Sequence, residues 1–353
     1  MKYTRLRRLL YPFSLIFAAI AAIRNLLFDR GILESTAYPI PVICVGNLTV
    51  GGTGKTPLTE FLLTHLHKSY SCALLSRGYG RKTKGVILAD KTASSVTIGD
   101  EPMQIHTKFE NVMVAVAEKR REGMKLLLKN DPAPQVVVLD DAFQHRYVKP
   151  GLSIVVIDYH RPIWNDLCLP AGNLREPRRG LNRAQLIVIN KCPETLSEQE
   201  ANRMKHKLKT NNSDQVFFTT IRYGTPVPLK SQNKTFDSLL NSSGQALAAM
   251  AGIGNPEPFF KKIAEYNKPT EQLRFPDHHD FTTADIKKME AICNQTENPK
   301  LMVTTEKDAI RLLAAGLPDT LFSKIWYIPI ELDFLFNDQQ RFTNIIDSYV
   351  REN

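Results

Sequence analysis

Ile40-Pro41-Val42-Ile43-Cys44-Val45, followed after a short turn by Gly51-Gly52-Thr53-Gly54-Lys55-Thr56, reads as a strand, a glycine-rich loop and the mouth of a helix. Glycines let successive backbone N–H groups point at one anion, and the helix N-terminus adds its positive end. Lys55 can reach terminal phosphates, and the Thr56 hydroxyl can hold a magnesium ion. The stretch Gly51, Gly52, Thr53, Gly54, Lys55 and Thr56 therefore implies a cradle for a nucleoside triphosphate. It leaves open whether water or a second substrate receives the phosphoryl group.

Outward from this loop, apolar runs at Ile40–Val45, Cys72–Ser76, Val112–Val116, Val136–Leu139, Ile154–Ile157 and Leu186–Ile189 predict strands. Helical stretches at Pro57–His67 and Glu118–Lys129 separate some of them. Short continuous apolar strands alternating with helices predict a mostly parallel sheet covered on both faces. Ligands of such sheets collect beyond the carboxyl ends of the strands. That rim should carry Arg77 and Arg81 after Ser76, Asp140 and Asp141 after Leu139, and Asp158 after Ile157.

Asp140-Asp141 suits a magnesium-binding strand end, one carboxylate meeting the metal or its waters and the other orienting a substrate group. Adjacent aspartates also serve as helix caps or solvated turns. Arg77, Arg81, Lys82 and Lys84 form a basic turn fit to clamp phosphates, or simply a solvated patch. Gly99-Asp100-Glu101-Pro102 reads as a turn into a helix, with acids where the helix dipole favours them. In the loop from Leu169 to Arg179, Arg175, Arg178 and Arg179 accompany Glu176, suiting an anionic headgroup or an internal ion-paired turn.

With 353 residues, 43% hydrophobic and 23% charged, the chain has the composition of a folded protein large enough for two domains. Five scattered cysteines without a CxxC pair argue against a disulfide framework or structural zinc, and fit a reducing compartment. The net charge of +10 admits nucleic acid, an anionic membrane or acidic substrates. No nucleic-acid recognition module supports the first of these. Lys2, Arg5, Arg7 and Arg8 precede an apolar stretch from Leu9 to Ile23, shorter than the roughly 20 residues needed to span a bilayer. A helix lying on an anionic membrane surface fits this pattern. A core helix or a cleaved or spanning segment are the alternatives.

Beyond Val216–Thr219, strands are predicted at Gln245–Ala251, Lys300–Thr304 and Ile325–Ile330. Helices are predicted at Pro258–Tyr266, Thr283–Gln295 and Glu306–Ala315. Asp277-His278-His279-Asp280 has metal-ligand residue types, but adjacent histidines alone do not make a zinc site.

Read together, these motifs resemble the bacterial tetraacyldisaccharide 4′-kinase family of lipid A biosynthesis. The resemblance is carried by residues 46–57, 76–81, 99–102, 140–145, 172–177, 275–279 and 304–309. Two departures are visible: Thr49 stands where a standard phosphate loop has its first glycine, and Ala142 where many members have glycine.

The resemblance implies ATP and Mg2+ as cofactors, an acylated glucosamine disaccharide lipid as acceptor, and work at the cytoplasmic face of the bacterial inner membrane. It implies neither nucleic acid nor an obligate protein partner. It points to Asp100 as the base for the acceptor hydroxyl, tuned by His278, with Lys55 and Asp141 also catalytic. Thr56 and Asp140 would be the metal residues, and Arg77, Arg81, His145, Arg175, Glu176 and Asp277 the substrate-binding ones.

The expected fold is α/β: a P-loop NTPase-like, mostly parallel sheet domain at 31–220, a smaller α/β domain at 221–353, and a membrane-associated helix at 1–30. A hydrolysing NTPase and a nucleotide-dependent membrane scaffold are the competing functions.

Overall fold

The strand that feeds the glycine loop, β1 (Val42–Gly46), lies inside a nine-stranded sheet and all its residues are buried. The computed structural model describes residues 7, 9–210, 212–230, 235–236, 238–239, 246–295 and 300–353. Lys2, Arg5, Arg8 and Gln245 lie outside the described residues.

After β1 the chain forms β2 (Cys72–Ser76), β3 (Ile87–Leu88), β4 (Met113–Val116), β5 (Val136–Asp140), β6 (Leu152–Asp158), β7 (Leu186–Asn190) and β8 (Val216–Tyr223). β1 pairs in parallel with β5 on one side and β6 on the other. Val42 and Cys44 enter one apolar layer, and Ile43 and Val45 the opposite one. Both faces are therefore covered, which is why these strands read as unbroken apolar runs rather than alternating ones.

Helices α1 (Tyr11–Asp29), α2 (Lys55–Leu66), α3 (Asp100–Lys108), α4 (Arg120–Leu128) and α5 (Glu198–Leu208) accompany this sheet. Leu58, Leu62, Leu63 and Leu66 of α2 are buried in the layer that takes Ile43 and Val45. The helix predicted at Glu118–Lys129 is α4, and that at Pro57–His67 is α2, which begins two residues earlier at Lys55.

A second sheet holds β9 (Val227–Pro228), β10 (Ala246–Ala251), β11 (Glu271–Arg274), β12 (Lys300–Thr305) and β13 (Ile325–Ile328), in the order β11-β10-β12-β13-β9. Helices α6 (Glu257–Tyr266), α7 (Thr283–Cys293) and α8 (Glu306–Ala315) accompany it. The chain as a whole is an α/β fold with two mixed sheets, since β3 and β9 pair antiparallel with their neighbours.

One strand reading is corrected. The run predicted as a single strand from Ile325 to Ile330 is broken at Pro329, which has no N–H to give a ladder. Residues before it stay in the second sheet, whereas β14 (Ile330–Phe334) pairs antiparallel with β8 in the first. Helix α9 (Gln339–Glu352) then packs Phe342, Ile346 and Val350 into the first sheet's core. A single division at 220/221 therefore does not separate the sheets: β8 straddles it, and residues 330–352 belong with the first sheet.

Candidate active site

The loop between β1 and α2 is pinned from behind. Gly54 caps α2 at φ +92°, and a Cβ there would stand 1.9 Å from Asn190 Nδ2, so glycine is required. Asn190, at the end of β7, donates from Nδ2 to the Thr53 carbonyl at 3.3 Å. Asn47 Nδ2 donates to Thr53 Oγ1 at 3.1 Å. Lys191 Nζ donates to the Gly52 carbonyl at 2.5 Å and to Asp158 Oδ2 at 2.9 Å. Arg161 Nη2 adds a contact to the Gly52 carbonyl at 3.2 Å. With its carbonyls held by these side chains, the loop is left to present N–H groups to an anion.

Lys55 opens α2, and its largely buried Nζ lies 3.5 Å from Asp141 Oδ1. Arg175 Nη1 donates to both Asp141 oxygens, at 2.9 and 3.1 Å. Asp141 thus sits between two cations, at a backbone φ of 45°.

Asp140 is its opposite in environment. It is buried, Ser76 Oγ donates to its Oδ2 at 3.3 Å, and its Oδ1 has no hydrogen-bond partner among the described residues. Burial, then the charges of Glu101 and Asp141, push its carboxyl up to about 7. An orphaned buried carboxylate oxygen is a donor that a hard cation fits. Among the described residues no three His, Cys, Asp or Glu side chains converge as a self-sufficient cage. A magnesium that keeps waters and phosphate oxygens does not need one.

The second constellation joins the two sheets. Asp100, first residue of α3, receives Arg311 Nε of α8 at 2.7 Å and lies 3.1 Å from His278 Nδ1. Burial alone would raise the Asp100 carboxyl, but the His278 hydrogen bond and the Arg311 charge outweigh it and hold the group below the ordinary range. Arg311 is itself fixed by Asp308 and by the Gly252 carbonyl, both at 2.9 Å. Next along α3, Glu101 pairs with Lys307 at 2.6 Å. The Lys307 charge leads in holding Glu101 down at about 2, and Lys55 acts in the same direction. Glu101 therefore feels Lys55 and acts on Asp140, so the charges of α3, the glycine loop and β5 share one field.

The two adjacent histidines have separate tasks. His278, at φ 58°, faces Asp100, and its ring lies 5.5 Å from that of Tyr79. His279 turns away, stacks on Phe275 at 4.7 Å and bonds Asp285 at 3.0 Å in the cap of α7. Asp277 stays half-exposed, with Oδ1 3.9 Å from His278 Nε2.

Other expected substrate residues divide. Arg77 is exposed and has no hydrogen-bond or ion-pair partner among the described residues. Arg81 uses Nη2 to tie Glu118 at 2.5 Å and the Gly85 carbonyl at 2.6 Å, which builds the basic turn, while its Nε and Nη1 have no hydrogen-bond partner among the described residues. His145 is partly buried, and burial, with the Arg120 charge, pushes it down to about 4, leaving a neutral ring at neutral pH.

Glu176 is the most heavily bonded of them. It is buried, takes Arg183 Nη2 at 2.8 Å on both oxygens, Gln144 Nε2 at 3.0 Å and Asn25 Nδ2 of α1 at 2.8 Å. These protein groups, one of them on α1, make it a fastening of α1 to the body. Glu176→Ala should cost about 3–5 kcal/mol of stability, the usual loss when one partner of a buried ion pair is removed. Thermal or urea unfolding checks this, and a normal midpoint would contradict it.

The sequence reading assigned no role to Asn190, Lys191, Lys307 or Arg311. The first two follow a predicted strand on the same rim, so the strand-end rule could have flagged them. Lys307 stood within a quoted motif, but its partner Glu101 is 206 positions away.

A family profile described as tetraacyldisaccharide-1-P 4′-kinase (LpxK) matches residues 6–351. A tetraacyldisaccharide 4′-kinase of Bacteroides thetaiotaomicron is 43% identical, over 99% of this chain and 95% of its own. One from Flavobacterium johnsoniae is 44% identical, over 99% of this chain and 98% of its own. The crystal structure of an "apo" form LpxK from Aquifex aeolicus in complex with ATP superposes with a TM-score of 0.76 at 28% identity, covering 98% of this chain and 99% of that one. By the extent of these matches, this chain belongs to the LpxK family of tetraacyldisaccharide-1-P 4′-kinases.

Proposed function

We propose that the chain transfers the γ-phosphoryl group of ATP to the 4′-hydroxyl of a tetraacylated glucosamine disaccharide-1-phosphate. The observation that carries this reading is the pairing of two unlike halves. A glycine loop with Lys55 can hold the donor, and an ionised Asp100, fixed by His278 and Arg311 from the other sheet, can receive a proton. Family membership supplies the acceptor.

The loop follows β1 and opens α2, which supports assignment to the P-loop NTPase class. Lys55 and the loop N–H groups stabilise charge on the transferred oxygens. The acceptor oxygen bonds to phosphorus as the bond to ADP breaks, and the hydroxyl proton passes to Asp100. Thr56 and Asp140 are the residues that would hold magnesium, which neutralises phosphate charge when bound. Asp141 and Arg175 keep Lys55 aimed, and Arg77, His145 and Asp277 are available to the acceptor.

The surface of α1 supports action at the cytoplasmic face of the inner membrane on anionic lipid. Phe13, Ile16, Ile20 and Ile23 are each about 60% exposed along one side. The other side is held down: Asn25 on Glu176, Arg24 Nη1 on the Gln144 carbonyl at 3.0 Å, and Ser14 Oγ accepting from the Ala171 N–H at 2.9 Å. At 19 residues the helix is long enough to cross a membrane, but these polar ties favour its lying in the interface.

Deleting residues 1–30 would strip Glu176 of a partner, so substitution is the better test. The triple variant Ile16→Glu, Ile20→Glu, Ile23→Glu should lose at least about tenfold in binding to anionic liposomes, since each side chain forfeits roughly 1.5–3 kcal/mol of burial. ATP affinity should hold, and unchanged liposome binding would defeat the interfacial reading.

The direct test incubates the protein with γ-labelled ATP, magnesium and the lipid acceptor in vesicles. Label in lipid is expected. Release of inorganic phosphate with no labelled lipid would favour a hydrolysing NTPase.

A further inference from the structure

Along α3, Asp100, Gln104 and Lys108 recur every fourth residue and share one face of the helix. Asp100 belongs to the site above. Gln104 and Lys108, the latter about 12 Å further along the axis, meet a second polar cluster that the chemistry above does not use. Lys108 Nζ lies 2.5 Å from Glu60 Oε2 on α2 and 3.4 Å from Glu306 Oε1 at the head of α8. Gln104 Nε2 donates to Glu60 Oε1 at 2.6 Å. Tyr327 of β13 and the backbone of Ile330, where the chain returns to the first sheet, also face Glu306. Glu60 is buried and Glu306 nearly so, while Lys108 is one-third exposed.

One ammonium is thus shared by two carboxylates on helices that accompany different sheets. Each helix that meets it also carries part of the site: α2 starts with Lys55 and Thr56, α3 with Asp100 and Glu101, and α8 brings Lys307 and Arg311. The Arg311–Asp100 and Lys307–Glu101 contacts lie together at the first turn of α3, where they resist a pivot of α8 about that end less than a more distant tie does. A second tie at the far end of α3 removes the rotation.

We propose that Lys108, by bridging Glu60 and Glu306, is a positioning residue that fixes the angle of α8 against the helix carrying Lys55, and so the alignment of Asp100 with the transferred phosphoryl group. This inference rests on the kinase reading above. Without the shared cation, two poorly solvated carboxyl groups face each other, and whether they repel or close on one shared proton they lose the spacing that Lys108 sets.

The test compares full-length wild type, Lys108→Met, Lys108→Arg, Glu306→Gln and the Lys108→Met/Glu306→Gln double variant in the vesicle assay. Lys108→Met should lower kcat by roughly 10- to 100-fold, the scale of an ångström-sized misalignment. KM for ATP should stay within about twofold, because the loop keeps its own supports, and Lys108→Arg should recover most of kcat. The double variant should be more active than Lys108→Met alone, because removing one carboxylate relieves the repulsion; generic damage would not rescue in this way.

Wild-type kcat in Lys108→Met, or losses that multiply in the double variant, would overturn the proposal. Amide hydrogen exchange along residues 306–315 reads the same tie without turnover: faster exchange in Lys108→Met is expected, and no change overturns it. Failure of the wild type to label lipid would instead strike the kinase reading.

Discussion

Asp100→Asn is expected to lower lipid phosphorylation by about 10²- to 10⁴-fold, the range spanned by general-base catalysis, while ATP still binds. The amide keeps the size of the carboxylate and can still accept from Arg311, so the scaffold around α8 should persist. What it cannot do is take a proton from the acceptor hydroxyl. The pH dependence follows from the sign of the shift. His278 and Arg311 hold the Asp100 carboxyl below its usual value despite burial, so the base is ionised throughout the neutral range. Turnover that depends on it falls only as pH drops through that depressed value. Arg311→Met removes one of the two stabilising groups and should move this acid limb upward. The measurement is kcat against pH for the three proteins; near-normal turnover in Asp100→Asn, or an acid limb indifferent to Arg311, would refute the role.

Lys55→Met should cost about 10²- to 10³-fold in kcat, the scale seen when one preorganised charge-stabilising donor is lost. The substitution preserves the aliphatic stem, and the loop backbone keeps its ties to Asn190, Lys191 and Arg161, so the variant should fold. Asp141 loses one of two cations but retains Arg175, whose Nη1 meets both of its oxygens. The expected signature is therefore a fall in turnover that exceeds any loss of ATP binding, measured by single-turnover transfer beside nucleotide titration. Full activity in the folded variant would remove Lys55 from the phosphoryl-transfer step.

Much of the first sheet was legible because its strands are buried on both faces, which writes them as short apolar runs with polar residues at their ends. Asp140, Asp141 and Asn190 all stand at such ends. The split at Pro329 was hidden because Ile-Pro-Ile continues an apolar run, and only strand pairing reveals that the chain changes sheets there. The protein partners of Glu176 were not legible, because a buried carboxylate looks the same in sequence whatever it meets, and Arg183, Gln144 and Asn25 come from three separate segments. The choice between His278 and His279 depended on backbone geometry, a left-handed φ at His278 that turns one ring to Asp100 and leaves the next on Phe275.

The return of the chain to the first sheet also orders events during synthesis. Tyr349 on α9 grips β1 through both backbone groups of Val42, accepting from its N–H at 3.0 Å and donating to its carbonyl at 3.1 Å. Those partners are 307 positions apart, so at ~5–20 residues per second the ribosome makes the grip roughly 15–60 s after the strand it holds. The whole second sheet is made in that interval, and it has its own apolar layers in which to fold. The nascent nucleotide half must wait for its edge strand and clasp, which makes it the part of the chain most exposed to chaperones and proteases before completion.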